Sequence, residues 1–197
     1  MAKFLMHNRL FIRVGATIAF TLGLLVIIWV LSYLLLPQGL VKISFTASLI
    51  PSSPFTIAAQ IFGLNLLLGA FGLMLMNQWH DAGGLALGYY IHFLRSAVFH
   101  GLLRGTNSFA FPYNSQAELI FGFFKVGLWE TLAFCLICAA TAAFAAFPVS
   151  SAEGIRAFFT ILAKPQQIKR DVFIAFIVGV LMLGFSAIME ALNIING

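Results

Sequence analysis

The chain has 197 residues, of which 61% are hydrophobic and 9% charged, with a formal net charge of +5. Soluble domains carry about 25% charged residues, so this composition cannot cover a water-facing surface and leaves nothing over for a soluble domain of ordinary size. The basic residues flank apolar segments and form no patch interleaved with exposed aromatics, which argues against nucleic acid and for topology signals and anionic lipid headgroups.

The first residues, Met1–Arg13, mix Phe4, Leu5, Leu10 and Phe11 with Lys3, Arg9 and Arg13. That pattern predicts a short interfacial helix over 2–12 lying on the inner membrane face. The apolar stretch that follows is too long for a removable signal segment and lacks a small-residue cleavage site, so it reads as a retained first span.

Five spans are predicted along one transmembrane domain covering 1–197: 14–36, ended by Pro37; 55–77, opened by the turn Pro51-Ser52-Ser53-Pro54; 85–103, after Gly83-Gly84; 117–147, ended by Pro148; and 172–192. Their lengths of roughly 19 to 31 residues suit tilted bilayer spans. With the N-terminus inside, the inner segments hold Lys3, Arg9, Arg13, Arg156, Lys164, Lys169 and Arg170, and the outer ones only Lys42 and Arg104. The asymmetry predicts a cytoplasmic N-terminus in a prokaryotic inner or internal membrane.

Two connectors carry further expectations. Ser150 precedes Ile155, Phe158, Phe159, Ile161 and Leu162, which predicts a second interfacial helix over 151–164. The stretch 104–116 is rich in Gly, Asn, Ser and Pro, as a loop is. Within it Phe109, Phe111 and Tyr113 alternate like a short strand or anchor at the headgroup level.

Glu130 lies about 12 residues from the nearest end of its span, near the hydrocarbon centre. A charge there costs at least about 2.5–3.5 kcal/mol, so it needs a partner or a purpose. Asn65 and Arg95 each fall about 10 residues into their spans, at the same estimated depth. An intramembrane polar layer of Asn65, Arg95 and Glu130 is therefore expected, with Arg95 and Glu130 as an ion pair. A second, outer layer pairs Lys125 with Glu190.

His92 stands one turn before Arg95, and His100 follows on the same helix. They are candidates for a proton or ligand site, against the plainer reading of neutral, hydrogen-bonded histidines. The two lack the spacing that puts two metal ligands on one face, so no metal site is expected. Cys135 and Cys138 lie inside an apolar run with no second pair, as small packing residues do. His80-Asp81 falls in a short inner loop and is most simply solvated. No hydrolase, metalloprotease or phosphate-loop motif occurs, and no catalytic residue is assigned.

Taken together, three stretches resemble the stage II sporulation protein M family of small polytopic membrane proteins. They are Ile61-Phe62-Gly63-Leu64-Asn65 with Asn77 through Gly83-Gly84-Leu85-Ala86-Leu87-Gly88-Tyr89, then Lys125-Val126-Gly127-Leu128-Trp129-Glu130-Thr131-Leu132-Ala133, and Ser186-Ala187-Ile188-Met189-Glu190-Ala191. The family has His before the Gly of the fourth helix, where this chain has Val126, preceded by Lys125. The resemblance covers about 55–192 and implies a fold and a mode of interaction, since fold does not carry activity with it.

The expectation is thus an all-α, polytopic helical bundle of about five spans plus short interfacial helices. Its expected role is non-enzymatic: a scaffold or subunit contacting lipids, other membrane proteins or its own copies. Two alternatives stand beside it. One is a proton- or ion-coupled transporter or channel using Glu130 and Glu190. The other is an accessory subunit of an energy-converting or photosynthetic complex, holding lipid or pigment through His92, His100 and the faces of its 22 phenylalanines.

Overall fold

A computed structural model describes residues 1–41, 53–109, 112–145, 147–148 and 169–196. The predicted interfacial helix over 151–164, and Phe111, lie outside these residues. The described chain is all-α apart from one two-residue parallel strand pair.

Helix α1 is the single turn Ala2–Leu5, and α2 runs Leu10–Leu35. The predicted helix over 2–12 is therefore divided: the chain breaks between the two, and Leu10 already belongs to the long helix. Helix α3 occupies Pro54–Met76, with Pro54 in the first turn, where its missing N–H costs nothing. Strand β1, Trp79–His80, follows. Helix α4 covers 87–105, α5 is Gln116–Phe144, β2 is Phe147–Pro148 and α6 is Arg170–Asn196. Ser115 caps α5 by accepting from the Glu118 N–H, a predicted start missed by only one residue.

Four of these helices are long and apolar enough to cross a membrane: Leu10–Leu35, Pro54–Met76, Gln116–Phe144 and Arg170–Ile195. The apolar stretch of Gln116–Phe144 is 67% buried, against 17%, 22% and 28% for the other three, which makes α5 the central helix. Helices α2 and α6 pack directly on α5; α3 lies against α6, and the middle of α4 lies against α2.

The faces are inverted relative to a soluble bundle. Helix α2 buries Arg13, Thr17, Thr21 and Ser32 and exposes Phe11, Val26, Ile27, Leu34 and Leu35. Helix α4 buries His92, Ser96, His100 and Arg104 and exposes Ile91, Leu94 and Phe99. Such polar seams pack helices where the surrounding solvent is as apolar as leucine. Between α2 and α4 the approach is close: a Cβ on Gly105 would stand 2.5 Å from the Trp29 carbonyl oxygen, so only glycine fits that crossing.

Three helices contain π-helical stretches: Asn65–Phe71 in α3, Ser96–Leu102 in α4 and Phe123–Gly127 in α5. A π turn holds more residues than an α turn, so it changes the direction in which every later side chain points.

Candidate functional site

Helix α4 builds the site. Its buried polar residues His92, Ser96, His100 and Arg104 recur every four residues. In a plain α-helix that spacing drifts around the axis, because a turn holds 3.6 residues. The π stretch Ser96–Leu102 turns the drift back and keeps the four on one seam.

At the centre, Arg95 Nη2 donates to Glu130 Oε1 at 2.5 Å, joining α4 to α5. The Arg95 guanidinium also lies 3.8 Å from the centroid of the Phe134 ring, a cation–π contact. The other carboxylate oxygen, Oε2, faces His100 Nε2 at 3.7 Å, beyond hydrogen-bond length.

Further along α4, Arg104 is only 8% exposed. Its guanidinium sits between the rings of Phe109 (5.4 Å) and Phe123 (5.2 Å) and reaches the Tyr113 hydroxyl. Gly127 makes room for it: a Cβ there would stand 2.7 Å from Arg104 Nη2. Glu190, on α6, lies near enough to interact electrostatically with Glu130, Arg104 and Arg95, but makes no salt bridge among the described residues.

Two polar knots continue the seam toward the end that carries Arg13. Thr21 Oγ1 and His92 Nε2 are 3.0 Å apart, and the Cys135 thiol donates to Thr21 Oγ1 at 3.4 Å. Beyond them Asn77 Nδ2 donates to Thr141 Oγ1 (2.7 Å) and the Cys138 carbonyl (3.0 Å), tying the end of α3 to α5. The Tyr89 hydroxyl donates to the Leu5 carbonyl at 2.7 Å, and buried Arg13 donates to the Ala139 carbonyl at 2.9 Å. A cavity of about 310 Å³ opens beside Arg13, lined also by Asn8, Lys169 and Asp171.

Of the expected central layer, the structure brings Arg95 and Glu130 together and leaves Asn65 out. Asn65 opens the π stretch of α3 and makes no hydrogen bond to either residue. It sits on a helix that packs chiefly against α6, so equal depth does not place it on the same seam. The expected Lys125–Glu190 pair does not form. Lys125 is exposed inside the π stretch of α5 and donates to Asn193 Oδ1 at 3.0 Å. A long cationic side chain extends toward the helix end when that keeps its ammonium in a polar layer.

His92 and His100 are both buried on the seam, with His92 Nε2 engaged by Thr21 and Cys135. Both cysteines are free and buried. Asp81, expected to be simply solvated, accepts from the Leu85 N–H (2.9 Å) and the Tyr90 hydroxyl (2.6 Å). The Tyr90 bond and then the Leu85 bond hold its carboxyl below the usual carboxylate range.

Arg104 and Arg13 are site residues that loop-charge reasoning assigns to the aqueous flanks. The spacing of Arg104 from His100, Ser96 and His92, four residues each, is the signal that marks it. For Arg13 the corresponding signal is the four-residue step to Thr17 and Thr21.

Among the described residues, no group of three His, Cys, Asp or Glu side chains is arranged to hold a metal ion. The arrangement is instead a buried, hydrogen-bonding cluster that fixes α4 against α5 and sets an acid beside a histidine. Compared with models of known protein families, with characterised proteins and with solved structures, the chain matches none.

Proposed function

We propose that this chain is a non-enzymatic integral membrane protein of five spans that serves as a scaffold or subunit of a membrane complex, as its resemblance to the stage II sporulation protein M family implies. The fifth span is α4, whose 87–105 helix is about 28 Å long at ~1.5 Å per residue, close to the hydrocarbon thickness. The N-terminus faces the cytoplasm, by the loop charges.

One observation carries the reading: the Arg95–Glu130 pair is turned inward and closed within the chain, while the peripheral helices leave most of their apolar length uncovered. Arg95 and Glu130 lock α4 to α5, and α2, α3 and α6 present wide apolar faces to lipid, to other membrane proteins or to further copies. Purification from native membranes in mild detergent tests it. A stable oligomer or a stoichiometric partner is expected; a monodisperse monomer with nothing bound overturns it.

A second reading has its own support. Glu130 Oε2 faces His100 Nε2 at 3.7 Å with Glu190 nearby, which suits a proton- or ion-coupled transporter. Ion flux in liposomes that disappears in Glu130→Gln would favour it over the subunit role.

A further inference from the structure

Eight buried side-chain polar atoms have no hydrogen-bond partner among the described residues, and six of them belong to one ten-residue stretch of α4. They are Arg95 Nη1, Ser96 Oγ, both ring nitrogens of His100, and Nε and Nη1 of Arg104. Native interiors leave few such atoms, so a concentration of them calls for a partner that the described residues do not supply, a water, an ion or a ligand.

The chemistry of these atoms defines the occupant. A guanidinium has only donors, so three of the six atoms can be satisfied only by an acceptor. The serine hydroxyl can donate, and a neutral imidazole supplies one more N–H. Charge narrows the choice. Arg95 is balanced by Glu130 in contact, whereas Arg104, only 8% exposed, is attracted by Glu130 and Glu190 across a distance and makes no salt bridge among the described residues. A buried guanidinium with no anion in contact is strongly unfavourable. A neutral ligand would satisfy the donors and leave that guanidinium without a contacting counter-charge. Size narrows it again: His100 is 4% exposed and Arg104 8%, and the rings of Phe109 and Phe123 flank the guanidinium. Little room is left for a large group.

We propose that Arg95, Ser96, His100 and Arg104 form a binding site for one small inorganic anion, a halide or a monovalent oxyanion, between α4 and α5. Arg104 supplies the charge that no carboxylate contacts. Arg95, held by Glu130 on one side, and His100 supply directed donors. Gly127 matters because it lets the Arg104 guanidinium lie against α5. The site goes beyond the subunit role and does not rest on it, since anion binding is read without any partner.

The test uses the full chain purified in detergent. Thermal unfolding is followed in gluconate while bromide replaces it at constant ionic strength. Bromide is expected to raise the midpoint saturably, and an anomalous-scattering peak is expected beside Arg104 Nη1 in crystals grown with bromide. Arg104→Gln should weaken the apparent affinity at least about tenfold, the loss of a charge-assisted contact, and Lys3→Gln, at the exposed N-terminus, should not. The scattering experiment needs only the native chain, so it decides the matter if Arg104→Gln fails to fold. Equal midpoints in both salts with no peak at Arg104 overturn the proposal. Native mass spectrometry covers the other source of the same chemistry: a tightly held phospholipid that is lost in Arg104→Gln, with no bromide effect, would assign the position to a lipid phosphate and overturn the free-anion site.

Discussion

Arg95 and Glu130 meet at 2.5 Å, and each stands at the edge of a π-helical stretch: Arg95 immediately before Ser96–Leu102, Glu130 shortly after Phe123–Gly127. This ion pair is thus set at the points where two helices change their pitch. Removing one partner leaves the other charge largely withdrawn from solvent and unpaired. Glu130→Gln is expected to destabilise the solubilised protein by about 3 kcal/mol. The exchange Arg95→Glu with Glu130→Arg should recover a substantial part of that loss. Thermal or denaturant unfolding of the three variants measures both effects.

The crossing of α2 and α4 depends on Gly105. A methyl group there meets backbone, the Trp29 carbonyl oxygen, so the helices must separate. Gly105→Ala should cost about 1–3 kcal/mol from overpacking. Gly63 has nothing within 4 Å, and Gly63→Ala should gain up to about 1 kcal/mol from helix propensity. Opposite signs in the two unfolding midpoints are expected.

His92 is held by a hydroxyl and a thiol contributed by two other helices. Thr21→Val keeps the shape and removes the hydroxyl, leaving a buried ring nitrogen with the weaker thiol alone. A loss of about 1–3 kcal/mol is expected. Both thiols are fully buried, so maleimide should label Cys135 and Cys138 only as the protein unfolds. Rapid labelling of the folded protein would contradict this packing.

Asp81 closes the turn before α4 by accepting from Leu85 and Tyr90. Its carboxyl is held below the ordinary value, so the ionised form favours the folded turn. That contribution is present above the unfolded carboxylate pKa and is lost as pH falls through the lower folded value. Tyr90→Phe removes the largest cause and should shift the loss to higher pH. Limited proteolysis of the 77–86 turn across the acid range reads the shift.

Much of the site was legible in the sequence. Helix rise is constant enough for residue counting to bring Arg95 and Glu130 to one depth, and the energetic demand on a buried carboxylate then made them partners. Asn65 met the same depth test and failed, because depth says nothing about which helix neighbours which. Lys125 and Glu190 failed for a related reason. The π stretch at Phe123–Gly127 redirects Lys125, and its long stem carries the ammonium to Asn193. Arg104 looked like loop charge because the spans were bounded by apolar residues, whereas α4 continues to Gly105 with Arg104 on its buried seam.

Composition alone excluded a water-facing surface: 9% charged residues cannot cover one, and four helices are long and apolar enough to cross a membrane. The order of residues set where α2 stops and α3 starts, since Pro37 cannot continue a helix and Pro54 can begin one. Tertiary structure decided which polar groups face one another. That depends on helix phase and on the order of neighbours, and both are properties of the packed bundle: a single wide turn reorients every side chain beyond it without changing a residue.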